Sequence, residues 1–408
     1  MTQLYEGMEK PFLPMLISNW IFGIGIIQYP MWKPRKLFSF IYTSMILSSF
    51  LYLTYLSYPY YAFTKVAKMS PITNGMFYYA NTAVTISVLV AGWFQSKGLQ
   101  KCMVSAAVSN SLLRKIGIQR DHSKILKKEL FRFLSLAVYI LAVITVNCAI
   151  TAHHRDLKTE EITTMFLQNF PIIVVFIADT SFKNILGYAY YKFESLSDMF
   201  QNLLTSTENI PLYRVLANQV FTTNVYSRDE NTAQNKDYTF IIKTGKLVHL
   251  ELVKLCQEGN RTYGFHILTS LVVAFTMMIN DIFNIYTSLT YSVSNNIKLK
   301  EILRSLNWFL YFFIKTTTNC QFYTTVCQSA NRIGDIICEL YDENFINANT
   351  KEEIRRFNIN LVQNKLKLTA CGMVIIDLTL IPTLLVCKMA LMENNIFSSG
   401  YMQTEILH

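Results

Sequence analysis

Five charged side chains stand out inside the long apolar stretches of this 408-residue chain. They are Asp179, Lys183, Asp281, Lys315 and Asp377. A charge inside a membrane helix costs at least about 2.5–3.5 kcal/mol, so such residues usually pair with one another or face water. Asp179 and Lys183 are four residues apart and share one face of a helix, so we predict a structural ion pair between them. The other three are candidates for interhelical salt bridges or for contact with water, ions or polar ligands.

The residue patterns of known catalytic chemistry are missing from the sequence. There is no Gly-rich phosphate loop, no nucleophile elbow and no pair of catalytic carboxylates. The eight cysteines are scattered without zinc-site spacing, and His153–His154 is an isolated histidine pair. We therefore predict no enzyme activity, no metal and no cofactor.

The composition predicts an all-α membrane protein. Hydrophobic residues make up 51% of the chain and charged residues 16%, against about 25% in soluble domains. A bilayer crossing needs about 20 predominantly apolar residues. Seven stretches meet this requirement, at residues 37–62, 75–94, 130–152, 162–188, 263–288, 303–325 and 368–390.

The basic residues predict the orientation of these crossings. Lys and Arg number 27 on one side of the predicted membrane and eight on the other. Because basic loops stay in the cytoplasm, the N-terminus is expected inside and the C-terminal tail, residues 391–408, outside. The net charge of +10 follows from this bias, so nucleic acid is not an expected partner. Within the cytoplasmic segment 1–36, residues 12–29 are apolar but broken by Pro14, Gly23 and Gly25, which predicts a short buried or interfacial helix.

The cytoplasmic loops carry helical patterns of their own. Ile333, Ile336, Ile337 and Leu340 recur with the spacing of one helix face. Similar patterns occur at residues 194–204 and 247–256. We therefore expect the fourth, fifth and sixth helices to continue into the cytoplasm and to pack there as an anchor region.

Three motifs resemble the insect gustatory receptor family, which shares a seven-helix superfamily with the insect odorant receptors. The first contains Asn260-x-x-Tyr263-Gly264 and the second Cys327-x-x-x-Asn331-x-Ile333. The third is Leu368-Thr369-Ala370-Cys371-Gly372, followed by Asp377. The likeness in length, topology and helix spacing extends over the whole chain. The family's usual Thr-Tyr and Gln-Phe pairs in the seventh helix are absent, and Pro382 and Lys388 stand in that region instead.

The resemblance implies a tastant-gated, non-selective cation channel in the plasma membrane. Family members look like tetramers, so a homo- or hetero-tetramer with other gustatory receptor subunits is expected, with the seventh helix of each subunit lining a pore and no G protein required. A non-conducting or truncated subunit, such as a splice variant, stays open as an alternative, and a transporter is the third. A divergent receptor, an alternative final exon or a gene-model read-through would each explain the unusual end.

The same resemblance implies roles for particular residues. Amides and aromatic rings suit polyol ligands, although such side chains also join membrane helices. The ligand-binding candidates are Asn81, Asn147, Gln168, Asn169, Asp281, Asn284, Trp308, Tyr311 and Lys315. The pore and gating candidates are Asp377, Pro382, Leu385 and Lys388. Asp377 would either attract cations at the inner pore mouth or anchor neighbouring helices, and Pro382 would kink the seventh helix.

Overall fold

The computed structural model describes residues 9–27, 34–63, 71–118, 122–152, 159–205, 230–290, 295–342, 348–380 and 382. Within these residues the chain forms eight α-helices and one short antiparallel β-hairpin. The helices are α1 Glu9–Ile21, α2 Lys36–Phe63, α3 Pro71–Lys115, α4 His122–Ala152, α5 Thr159–Thr205, α6 Glu230–Thr290, α7 Asn295–Asp342 and α8 Ala348–Gln363. The strands are β1 Thr369–Ala370 and β2 Val374–Ile375.

Four helices in the described part of the chain contain stretches that are long and apolar enough to cross a membrane. These stretches are Lys36–Leu56, Leu126–Ile150, Asn169–Leu204 and Tyr238–Thr290. Their burial differs, because 83% of the most apolar window of α5 is buried against only 22% in α2 and 17% in α4. Therefore α5 is the central helix of the bundle, and α2 and α4 are peripheral. The expected crossings at 75–94 and 303–325 are also helical and lie within α3 and α7.

The peripheral helices expose large apolar side chains. On α2 and α4 the most exposed are Leu37, Met45, Tyr52, Tyr55, Phe131 and Val138. A contiguous apolar surface of this kind is rare on a soluble monomer. Lipid tails are the natural cover for it, because they demand only apolar contact.

The first helix packs into the bundle as a short buried element. Phe12 is 2% exposed, and its ring lies 5.3 Å from that of Tyr188 in α5. The turn after α1 then passes close to α3, where a Cβ on Gly92 would lie only 2.7 Å from the backbone nitrogen of Gly25. Gly25 has a φ of +91°, which favours glycine because it has no Cβ. This pair of glycines lets the turn rest directly on the backbone of α3.

The largest hydrophobic core lies where the long helices run past their predicted crossings. There α5 continues to Thr205, α6 begins at Glu230 and α7 continues to Asp342. These extensions pack with α3 and α8 around fully buried side chains. Examples are Phe193, Phe200, Val326, Ile333 and Phe357.

The start of the seventh predicted crossing is not helical, so the prediction of a helix from residue 368 is wrong. Residues 369–375 form the β-hairpin, in which Thr369 pairs with Ile375 and Ala370 with Val374. Helical residues appear only at Leu380 and Pro382, where the described part of the chain ends. The physical reason is local: Cys371 and Gly372 both have positive φ, at 53° and 74°, which forms a tight turn and excludes a helix.

Candidate functional site

Four helices enclose an aromatic layer. Trp308 and Tyr311 on α7 are 6% and 2% exposed, and their ring centroids are 5.8 Å apart. Tyr311 also stacks on Tyr139 of α4 at 6.2 Å. This layer packs against apolar side chains of α4, α5 and α6, namely Ile140, Val143, Ile172, Phe275, Met277 and Met278.

Buried polar groups lie one turn beyond this layer, toward the ends of α6 and α7 that the α6–α7 connection joins. Asp281 and Asn284 on α6 are 5% and 6% exposed. One carboxylate oxygen of Asp281 has no hydrogen-bond partner in the part of the chain that the structure describes. Arg304 acts on this carboxylate electrostatically but is itself paired with Glu301. Burying a carboxylate oxygen without a hydrogen-bond partner costs free energy. This oxygen is therefore a candidate to accept a hydrogen bond from a ligand.

An ionic cluster lies on the other side of the aromatic layer. The Asp179 carboxylate on α5 contacts Lys315 Nζ of α7 at 3.0 Å and His266 Nε2 of α6 at 2.8 Å. Lys315 Nζ also donates to Ser270 Oγ at 3.0 Å. These contacts join α5, α6 and α7 at one level of the bundle. Asp179 and His266 are almost fully buried there.

This cluster corrects the predicted pairing of Asp179 with Lys183. The two residues share a face of α5, but no salt bridge within 4.0 Å joins them, because the Asp179 carboxylate turns to Lys315 and His266 instead. Lys183 lies between Asp179 and Glu129 of α4 and interacts electrostatically with both. Interhelical partners therefore take precedence over the neighbour four residues away.

A second ionic group continues along the same face of α5. Arg132 of α4 donates to Glu129 at 3.1 Å and to the hydroxyl of Tyr191 at 3.3 Å. Glu129 approaches closely because Gly187 has no side chain, since a Cβ there would lie 2.5 Å from the carboxylate oxygen. The face of α5 thus carries Asp179, Lys183, Gly187 and Tyr191 at four-residue intervals, all facing charged partners.

A small cavity adjoins the Asp179–Lys315 pair. It has a volume of about 10 Å³, and its walls include Ser270, Asn319, Tyr323 and Ile376. A volume of about 10–15 Å³ accommodates one water molecule. In this conformation the cavity therefore holds nothing larger than water. Ile376 is its link to the hairpin, because it directly follows β2.

Two asparagines from different helices hold the hairpin and the residues just before it. Asn260 of α6 accepts from the Thr369 backbone N–H at 3.3 Å and donates to Thr369 Oγ1 at 3.3 Å. Asn331 of α7 accepts from the Leu366 N–H at 3.1 Å and donates to the Leu366 carbonyl at 3.3 Å. Each amide thus uses both its oxygen and its nitrogen to hold the chain.

The turn of the hairpin also rests on α6. A Cβ on Gly264, one turn after Asn260, would lie 3.3 Å from the backbone nitrogen of Cys371. The three motifs that carry the family resemblance therefore meet at one place. The first and the third are more than 100 residues apart in the sequence. We call this place, formed by Asn260, Gly264, Asn331 and residues 366–376, the hairpin joint.

Asp377 caps the chain segment that follows the hairpin joint. Its carboxylate accepts a hydrogen bond from the Thr379 backbone N–H at 3.0 Å, and its carbonyl accepts from the Leu380 N–H at 3.3 Å. This is the geometry of a residue that starts a helix, not of one that lies a turn and a half inside it. Pro382 accordingly lies close to the first helical residue, where the N–H groups have no intrahelical partner to lose, and not in the middle of a crossing.

The remaining predicted residues lie apart from these groups or outside the description. Asn147 and Asn169 are each 6% exposed, and Asn81 on α3 is half-buried. The Gln168 side chain, Leu385 and Lys388 lie outside the described residues, as does the pair His153–His154. No group of three His, Cys, Asp or Glu side chains within metal-binding reach occurs in the described part.

Sequence reasoning missed two residues of the ionic cluster. His266 and Ser270 lie in the fifth apolar stretch, and His266 was detectable as the one histidine within it. Asn260 and Asn331 were recognised as parts of motifs, but nothing in their spacing showed that both hold the same segment.

The all-helical fold, its apolar exterior and its buried polar layers define a multi-pass helical membrane protein. The chain belongs to the 7tm chemosensory receptor family, whose model matches residues 13–387. This confirms the resemblance to insect gustatory and odorant receptors. Putative gustatory receptor 28b of Drosophila melanogaster is 21% identical over 73% of this chain, and the match spans 63% of that relative's length.

Solved structures show the same fold. The insect olfactory receptor OR5 from Machilis hrabei superposes with a TM-score of 0.60 at 11% identity, over 95% of this chain and 97% of that one. The structure of OR5 in complex with eugenol gives a TM-score of 0.59 at 10% identity, over the same shares of the two chains.

Proposed function

We propose that this chain is a subunit of a tastant-gated, non-selective cation channel in the plasma membrane. The small molecule binds between α4, α5, α6 and α7, in the outer half of the membrane. The observation that carries this site is the buried carboxylate of Asp281, one oxygen of which has no hydrogen-bond partner among the described residues, beside an aromatic layer. A relative of the same fold has been solved with the small aromatic molecule eugenol bound, which supports a small-molecule ligand.

The site favours a particular ligand chemistry. The vacant oxygen of Asp281 accepts hydrogen bonds, so a ligand with hydroxyl or ammonium groups fits it. The faces of Trp308 and Tyr311 offer stacking surface for a ring or for a cation. The cavity across the aromatic layer, beside the Asp179–Lys315 pair, holds only a water. Ligand entry therefore requires these helices to separate, and that separation is the event that gates the channel.

Orientation and assembly complete the proposal. The basic-residue bias of 27 to eight supports a cytoplasmic N-terminus and an extracellular C-terminus. Val362, Met373, Ile375 and Leu378 are 44–78% exposed around the hairpin joint, an apolar patch that a neighbouring subunit of a tetramer would cover. Antibody labelling of intact cells tests the orientation: the C-terminal tag should label and the N-terminal tag should not.

Dose–response measurements test the ligand site. Asp281→Asn should raise the ligand concentration for half-maximal response by about tenfold or more, which corresponds to about 1.4 kcal/mol. Lys315→Met should do the same, but it also leaves Asp179 buried without its cation, so its folded fraction is measured in parallel. Lys254→Met is the matched control, because its side chain is 61% exposed on α6, far from the site. Unchanged curves for both site variants, at equal surface expression, would remove these residues from the ligand site.

A non-conducting subunit is the second candidate function, and Lys388 favours it. Four copies of this lysine around one axis would oppose cations in a narrow pore, where screening is weak. Lys388→Leu should then increase the current of the homomer. Large ligand-evoked currents from the unmodified homomer would reject the non-conducting alternative.

A further inference from the structure

The hairpin joint is the only described contact point at which α6, α7 and the start of the seventh crossing meet through paired hydrogen bonds. Asn260 holds the hairpin from α6, and Asn331 holds the segment before it from α7. On the far side, Ile376 reaches the cavity beside the Asp179–Lys315 pair. The hairpin is thus in contact with both helices that carry the ligand site.

The position of the hairpin along the chain gives these contacts a consequence. Asp377 directly follows Ile376, and the first helical residue, Leu380, comes three residues after Asp377. Asn260 makes two hydrogen bonds to Thr369 at the start of the hairpin, and Asn331 makes two to Leu366, three residues earlier. A displacement of α6 relative to α7 therefore moves two nearby anchor points of residues 366–375. The segment has little freedom to absorb this movement internally, since a hairpin with a tight turn has a fixed register.

We propose that the hairpin joint is the coupling element that transmits ligand binding to the pore helix, with Asn260 and Asn331 as its positioning residues. Separation of α6 and α7 by a ligand rotates the hairpin about the Gly264 contact and redirects the helix that starts after Asp377. The proposal rests on the proposed channel function. It assigns a role to residues that touch neither the ligand nor the permeating ion.

A disulfide lock tests whether the hairpin must move. The native Cys371 Sγ lies 3.8 Å from the position of a Cβ on Gly264, so Gly264→Cys places two thiols within bridging reach. In full-length channels in oocytes, sucrose and quinine serve as a hydroxyl-bearing and a cationic probe. Oxidation of this variant should lower the evoked current about tenfold, and a reducing agent should restore it.

Two controls isolate the bridge from the substitution. Gly264→Ser keeps a side chain of similar size without a thiol, and Gly264→Cys with Cys371→Ser removes the partner. Neither should respond to oxidant. A bridged channel, verified by mass spectrometry of the hairpin peptide, that conducts as well as the reduced one overturns the coupling proposal.

Amide variants provide a second test that does not depend on Gly264. Asn260→Ala and Asn331→Ala should reduce maximal current about fivefold while the probe still raises the thermal unfolding temperature of the purified protein as in the wild type. Asn364→Ala is the matched control, because the side-chain amide of this residue, just after α8, donates to the Asn360 carbonyl in the last turn of that helix. Equal losses of probe binding and current would assign the asparagines to folding instead. A wild-type channel at the surface that binds a probe without any current would contradict the channel function, and the coupling proposal with it.

Discussion

The two ends of the helix bundle differ in whether their buried polar groups have hydrogen-bond partners. In the extended ends of α5, α6 and α7, buried polar groups have close partners: Lys192 donates to Asn110 at 3.1 Å, and His249 pairs with the Ala330 carbonyl at 3.1 Å. At the opposite end, Asp281 keeps one buried oxygen without a partner in the described part of the chain.

This difference separates a rigid region from a region that is available for binding. Satisfied buried groups fix one arrangement of helices, because any shift leaves a donor or acceptor unpaired. A buried acceptor without a hydrogen-bond partner, such as the Asp281 oxygen, instead favours a conformation in which a donor reaches it. A bound ligand can supply that donor. The Asp179–His266–Lys315 cluster lies between the two regions, and the predictions below probe each of them.

The ionic cluster should show the largest effect on stability. Asp179→Ala leaves the ammonium of Lys315 buried without its counter-charge, which costs about 3–5 kcal/mol when one partner of a buried pair is removed. We expect almost complete loss of folded protein at the cell surface, measured by size-exclusion chromatography of a fluorescent fusion. The double variant Asp179→Ala with Lys315→Met should recover much of it, because no unpaired charge then remains. Equal losses for both variants would contradict a role for the ion pair.

The outer carboxylate should behave in the opposite way. Asp281→Asn replaces a buried, partly unpaired charge by a neutral amide of similar size, so the unfolding free energy should stay constant or rise by about 1 kcal/mol. Thermal unfolding in detergent measures this, alongside the weakened ligand response. A destabilisation as large as that of Asp179→Ala would show that Asp281 is a structural partner like the groups of the inner region.

The sequence predicted the helices well and their ends poorly. Apolar stretches of about 20 residues correctly located α2 to α7. Each bilayer crossing must be apolar along its own consecutive residues, so it can be recognised from a short stretch of sequence. The failure at residue 368 has a recognisable cause. Lys365, Leu366, Lys367 and Leu368 alternate between exposed and buried, which is the period of an extended strand, and Cys371–Gly372 supplies the turn. The apolar content of residues 368–390 predicts a helix, but this alternation and the turn at its start are those of a strand pair.

The site was predictable in its residue types but not in its pairing. Charged and amide residues inside apolar stretches stand out because a polar group inside a membrane helix costs free energy. Of the candidates, Asp281, Asn284, Trp308 and Tyr311 are all buried. The partner of Asp179 was not predictable, because Lys315 is 136 positions away in the chain and which faces of α5 and α7 meet depends on packing across the whole bundle. Spacing within one helix therefore identified a possible pair but not the pair that forms.

The start of the seventh crossing should respond to loss of its cap. Asp377→Ala removes the acceptor of the Thr379 N–H, which typically costs about 1 kcal/mol. Channel opening should weaken, but the relative permeability of sodium and potassium should not change, because the carboxylate is engaged by the backbone. Asp377→Asn, which also caps helices, should remain close to the wild type. A changed permeability ratio in bi-ionic recordings would restore Asp377 to the pore lining.

The smallest effect is expected at a solvent-accessible ion pair between α6 and α8. Lys246 of α6 and Glu353 of α8 form an ion pair at 3.1 Å, with side chains that are 15% and 17% exposed. The hydrogen bond from Lys246 lowers the pKa of the Glu353 carboxyl below its usual 4.5. A lowered pKa in the folded state means that the stabilisation is fully present above pH 4.5 and is lost as the pH falls through the folded-state value.

Lys246→Met should therefore reduce the unfolding free energy by less than about 1 kcal/mol at pH 7, and the difference from the wild type should vanish at low pH. Thermal unfolding of both proteins between pH 3 and pH 7 measures this, with Lys254→Met as the exposed control on the same helix. A difference that persists at pH 3 would show that Lys246 stabilises α8 by packing and not by its charge.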